Sequence, residues 1–153
     1  MCIRDRDLEA VDTPEEAVTD ADIICAATTS STPVLRYQDL KSGVHINGVG
    51  SFQPSMQEID SETIRNALVF VDSRESALSE TGDLTIPIQE GIIGKNHLRA
   101  EIGELLENPS LGRKTPDEIT FFKSCGVAVQ DVVAAGMALE QAKKKNLGRI
   151  ISM

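Results

Sequence analysis

Val44-His45-Ile46-Asn47-Gly48-Val49-Gly50-Ser51 is the stretch whose reading decides the fold. The branched aliphatics Val44 and Ile46 suit a strand. Gly48 and Gly50 then bracket Val49. A residue without Cβ lets the backbone adopt positive φ and lets a ligand come close. A strand ending in Gly-x-Gly-Ser fits one wall of a ligand crevice at the carboxyl ends of an open α/β sheet. It fits equally a strand running into an ordinary glycine turn. The flanking chain has to decide.

Upstream, residues 21–27 (ADIICAA) form a continuous apolar run, as expected of a parallel strand buried on both faces. Thr28-Thr29-Ser30-Ser31-Thr32 follow it. Before it, Asp12-Thr13-Pro14-Glu15-Glu16 opens a short helix ending near Thr19, with a capping side chain, proline in the first turn and acids at the positive end of the dipole. Residues 8–11 (LEAV) are a strand candidate, and residues 1–7 (MCIRDRD) read as a disordered or foreign start.

Downstream, Asp60 caps a helix through Asn66, residues 68–71 (LVFV) are an apolar strand, and residues 74–80 form a helix that Gly82 stops. Residues 83–100 carry no legible pattern, and residues 101–107 read as a helix. Residues 119–124 (ITFFKS) are a strand, followed by the longest helix, residues 126–145. Its run from Val127 to Leu139 is almost wholly apolar, so burial of Val127, Val132, Val133 and Met137 is expected, with Lys143, Lys144 and Lys145 in solvent at the negative end of the dipole. Alternating strands and helices with apolar strands predict one mainly parallel sheet, built from residues 8–11, 23–27, 44–47, 68–71 and 119–123, with helices on its faces.

Composition narrows the chemistry. The 153 residues suffice for one domain with a true core. A net charge of −9, no Trp and one Tyr argue against a nucleic-acid partner, which needs a basic face or stacking aromatics. No apolar run reaches membrane-spanning length and no leader pattern stands at the start, so a cytoplasmic protein without a membrane partner is expected. Cys2, Cys25 and Cys125 form no CxxC pair, and His45 and His97 are isolated, so no metal site is expected. There is no G-x-S-x-G elbow and no phosphate-loop motif.

In a parallel sheet every carboxyl end lies on one edge. Thr28-Thr29-Ser30, Gly48-Val49-Gly50-Ser51 and Ser124 would therefore share a crevice able to hydrogen-bond a ribose or carboxamide. Ser124 could also be no more than a helix cap. The glycine fingerprint that opens a dinucleotide fold is missing, as is the acid that follows it.

Four blocks taken together, ADIICAATTSSTPVL, GVHINGVGSFQPSMQEID, LVFVDSRESAL and GR-x-T-x-DEITFFKSCGVAVQDVVAA, resemble the second half of the ornithine cyclodeaminase/mu-crystallin family. The resemblance covers residues 8 to about 147. It implies that residues 8–153 are the C-terminal part of a Rossmann domain binding NAD or NADP: a partial, doubly wound α/β sheet closed by a long C-terminal helix. The domain's first half and an amino-terminal substrate domain would lie outside this chain. It further implies that Thr28, Val49, Gly50, Ser51 and Ser124 contact the cofactor and that Cys125 contacts substrate. Phe52 stands where the cyclodeaminases have a proton-transferring aspartate, and Met56 where they have a lysine, which puts cyclisation in doubt and leaves hydride chemistry intact.

The expected function is hydride transfer between an amino acid or imine and nicotinamide. That covers ornithine-to-proline cyclisation as well as simple imine reduction or amino-acid dehydrogenation. The expected partners are a small amino-acid or imine substrate and a second copy in a homodimer. The chain by itself is expected to be inactive. The alternative is a non-catalytic, crystallin-like protein that binds cofactor and ligand.

Overall fold

A computed structural model describes residues 9–149 and Ile151. The segment 1–7 and Leu8 lie outside the described residues.

Five parallel strands form one sheet in the order β1-β2-β5-β3-β4: β1 (Ile23–Ala26), β2 (His45–Gly48), β3 (Leu68–Val71), β4 (Leu98–Glu101) and β5 (Thr120–Lys123). The register is continuous, with Ile24, Ile46, Phe121 and Val69 abreast in one row. Ala26, Gly48, Lys123 and Val71 stand abreast two residues later. Side chains alternate along strands, so these two rows share a face. That face is sealed: Ile46, Phe121, Val69, Val71 and Lys123 are all fully buried.

Helix α1 (Pro14–Val18) forms as the sequence predicts. The Thr13 hydroxyl accepts from the Glu16 N–H, and the Glu16 carboxylate accepts from the Thr13 N–H. Asp60 caps α2 (Ser61–Asn66) and Ser73 caps α3 (Arg74–Glu80). β3 has the expected bounds, β2 lies one residue further on than predicted, and β5 begins one residue late.

Five expectations need correction. Ala10 and Val11 are not in a strand, because no described neighbour offers them a ladder. Gly82 does not stop a helix but opens α4 (Gly82–Gln89), which Thr81 caps. A Cβ at Gly82 would lie 2.1 Å from the Met56 carbonyl oxygen, so glycine is there for close packing rather than for a turn. The illegible stretch contains α4, whose interior Pro87 hides the helical signal, and β4, whose Arg99 and Glu101 make it look polar.

β1 is not buried on both faces. Ile24 and Ala26 are buried while Ile23 and Cys25 are exposed. Last, the long helix α6 (Ala128–Lys144) buries none of its residues. Val127 is half-buried, and Val132, Val133 and Met137 are 70, 55 and 65% exposed. The apolar run does mark a helix that needs cover, but nothing among the described residues supplies it. Lys143, Lys144 and Lys145 are exposed as expected.

Candidate functional site at the carboxyl edge of the sheet

The abreast row Ala26, Gly48, Lys123, Val71 puts the ends of β1, β2, β5 and β3 on one edge. The chain past each end is stitched to its neighbour. The N–H groups of Val49 and Gly50 donate to the Ala26 carbonyl at 2.8 and 3.3 Å, and the Ser124 N–H donates to the Gly48 carbonyl at 3.0 Å. Thr28, Gly50 and Ser124 therefore emerge at a common edge. Both glycines of the opening stretch are forced by contact: a Cβ at Gly48 would sit 2.6 Å from the Phe121 ring, and one at Gly50 2.0 Å from the Thr28 carbonyl oxygen.

Thr28 is exposed, its hydroxyl accepting from the Ser30 N–H at 3.2 Å. Val49 is 52% exposed, Phe52 is 56% exposed and Gly50 is half-buried. Ser51 differs. Its hydroxyl is buried, donating to the Met56 carbonyl at 2.7 Å and lying 2.8 Å from the Thr81 hydroxyl. Ser51 thus holds the loop from behind.

Ser124 does not cap α6, whose N-cap is Val127. Its hydroxyl donates instead to Asp72 Oδ2 at 3.2 Å, and the same oxygen accepts from the N–H groups of Cys125 and Gly126 at 2.8 and 2.7 Å. Gly126, at φ +80°, makes the turn that aims these donors at Asp72. Burial, and next the Asp72 carboxylate, push the half-buried Cys125 thiol up to about 11. At neutral pH Cys125 is a neutral thiol, able to touch a ligand but not to act as a base or nucleophile.

Behind the edge lies a chain of buried charge that sequence reading missed. Glu58 is fully buried, and its two oxygens accept from the N–H of Thr28 (2.5 Å) and the N–H of Ser51 (3.0 Å). Asp83 Oδ1 accepts from the N–H groups of Glu58 and Ile59 at 2.7 and 3.1 Å. Its other oxygen faces the buried Lys123 ammonium at 3.4 Å. Burial pushes the Asp83 carboxyl above the usual range, opposed by the Lys123 charge. The one available signal was chemical: Lys123 ends a strand whose neighbours are apolar, so it required a buried counter-charge from elsewhere.

Among the described residues no group of three metal-binding side chains occurs, and no helix is long and apolar enough to cross a membrane.

The family profile of the ornithine cyclodeaminase/mu-crystallin family matches residues 2–146. The chain belongs to that family. A Delta(1)-pyrroline-2-carboxylate reductase of Bacillus cereus is 47% identical over 137 residues, which is 89% of this chain and 42% of that protein. The fold superimposes on the Thermococcus litoralis Delta(1)-pyrroline-2-carboxylate reductase, solved with NADH and L-proline, with a TM-score of 0.86 at 39% identity, covering 92% of this chain and 44% of that one. An archaeal alanine dehydrogenase dimer with bound NAD matches at a TM-score of 0.82 and 35% identity, covering 94% and 44%. The chain thus spans under half the length of these relatives. The parallel sheet with its flanking helices is accordingly of the Rossmann type.

Proposed function

We propose that the complete protein is an NAD(P)-dependent imine reductase working on a small cyclic imino acid such as Delta(1)-pyrroline-2-carboxylate, and that residues 8–153 are the C-terminal part of its cofactor domain. The observation that carries this is the shared carboxyl edge, where Thr28, Val49, Gly50 and Ser124 emerge side by side. The relatives solved with NADH or NAD have this fold, which supports the cofactor assignment. The uncovered outer edge of β1 is where the sheet of a complete domain would continue.

The donor set suits the nicotinamide end of a dinucleotide. It offers the exposed Thr28 hydroxyl and the Ser124 hydroxyl beside the exposed side chain of Val49, while the buried cation behind them, Lys123, is already paired with Asp83. Thr28 and Ser124 would hydrogen-bond it, Val49 and Gly50 would lie along it, and Ser51 would fix that loop. When bound in reduced form, the cofactor supplies the hydride for the imine carbon. Cys125, as a neutral thiol beside Ser124, would contact substrate. Phe52 can exclude water and shape the pocket but cannot move a proton, which favours plain reduction over cyclisation. We further propose a cytoplasmic homodimer, supported by the dimeric alanine dehydrogenase relative and by the uncovered apolar face of α6.

The test is NADH or NADPH oxidation by the complete protein with the cyclic imine, against ammonia release from ornithine. Imine reduction is expected to dominate, and the chain of residues 1–153 alone is expected to turn over neither substrate. Binding of NADH without turnover would indicate the non-catalytic, crystallin-like reading. Phe52→Asp is expected to raise ornithine deamination relative to imine reduction, by about 10²- to 10⁴-fold where the carboxyl is well placed.

A further inference from the structure

We propose that Glu58 is the positioning residue of the cofactor crevice, a clamp that sets the spacing between its two lips. The proposal rests on the dinucleotide-binding reading above. One lip is the chain after β1, represented by Thr28; the other is the chain after β2, represented by Gly50 and Ser51. Glu58 belongs to neither strand and gives one carboxylate oxygen to the N–H of each lip. It is fully buried, so water cannot replace either bond.

The clamp is itself held in three ways. The Glu58 carbonyl accepts from the N–H groups of Val34 and Leu35 at 2.8 and 3.0 Å, its own N–H is fixed by Asp83, and Asp83 is paired with Lys123. Lys123 lies at the end of β5, one residue before Ser124, so the third side of the crevice is tied to the same chain of charge. The fit is also tight. A Cβ at Gly50 would lie 2.5 Å from Glu58 Oε1, so the two lips and the carboxylate pack with no slack.

The chemistry needs two acceptors on one rigid group. A glutamine offers one acceptor oxygen, and its NH₂ would face an N–H donor at the other lip. An aspartate keeps both oxygens but is one methylene short. Either change should let the lips part without removing any group that touches the dinucleotide.

The experiment measures the NADH dissociation constant by fluorescence titration, and the KM for NADH and kcat with the cyclic imine, on the complete wild-type protein and on Glu58→Gln, Glu58→Asp and Ile64→Ala. Ile64 is a fully buried residue of α2 outside the crevice, and it reports what general destabilisation does. Glu58→Gln is expected to weaken NADH binding at least about tenfold, with kcat changed far less, as loss of a charge-assisted bond implies. Glu58→Asp is expected to fall between it and wild type, and carries the test if the Gln variant does not fold. Ile64→Ala is expected to melt earlier with unchanged affinity. NADH binding in the Glu58 variants equal to wild type overturns the clamp, as does an equal loss in Ile64→Ala. A wild-type protein that binds no NADH instead overturns the functional reading on which the clamp rests.

Discussion

The two faces of the sheet are built to different standards. On one, Ile46, Val69, Val71 and Phe121 are fully buried and even a lysine is sealed in, with its carboxylate partner on α4. On the other, Ile23 and Cys25 are exposed, His45 and Asn47 are half-covered, and burial recovers with Thr120 on β5 and Phe70 on β3. The same strands supply both faces, so strand propensity cannot be the cause. The difference lies in cover. Helices α2 and α3 both pack against α4, which carries Asp83 to Lys123 on the sealed face, whereas α6 runs off bare. A sheet edge and an apolar helix without cover among the described residues are surfaces that burial against a further surface would stabilise. The carboxyl edge that carries Thr28, Gly50 and Ser124 has the rigid charge of Glu58, Asp83 and Lys123 behind it.

The largest effect should come from breaking the sealed charge. Lys123→Met strands Asp83 without its counter-charge and is expected to cost about 3–5 kcal/mol at neutral pH, read from denaturant midpoints. The sign with pH is fixed by the raised carboxyl of Asp83. A carboxyl whose folded pKa lies above its unfolded one stabilises the fold most when protonated, and loses that contribution as pH rises through the folded value. The variant should therefore lose least in acid and most near neutrality. A deficit independent of pH would mean that Asp83 is not the group left uncompensated.

Apolar truncation sharpens the contrast. Ile46→Ala on the sealed face should cost about 2–4 kcal/mol. Val133→Ala on α6 should cost under about 0.5 kcal/mol in this chain, because that side chain is already in water. In the complete protein the α6 substitution should become distinctly more costly. If it stays neutral there, α6 is a solvated arm and its cover does not exist.

The smallest effect is on reactivity. Cys25, exposed on the open face, should be alkylated well before Cys125 at pH 8, followed by mass spectrometry. With its thiol pushed up to about 11, Cys125 presents roughly one thiolate in a thousand at that pH. Comparable rates would show that the Cys125 environment is wetter than its burial implies.

Much of this was legible from sequence alone. The capped starts of α1 and α2, the strands at Ile23, Leu68 and Thr120, and the gathering of Thr28, Gly50 and Ser124 on one edge all follow from local rules. Capping, glycine and runs of branched side chains act over a few residues, and parallel topology aligns strand ends without further information. The tertiary structure alone decided three things. Pro87 lies inside a helix because that helix is packed between α2 and α3, which no local preference reveals. Glu58, Asp83 and Lys123 are 25 to 65 residues apart in sequence and become one unit only when β5, α4 and the loop after β2 meet in the core. And the apolar residues of α6 are exposed: periodicity tells which residues need burial, but burial itself depends on what stands opposite.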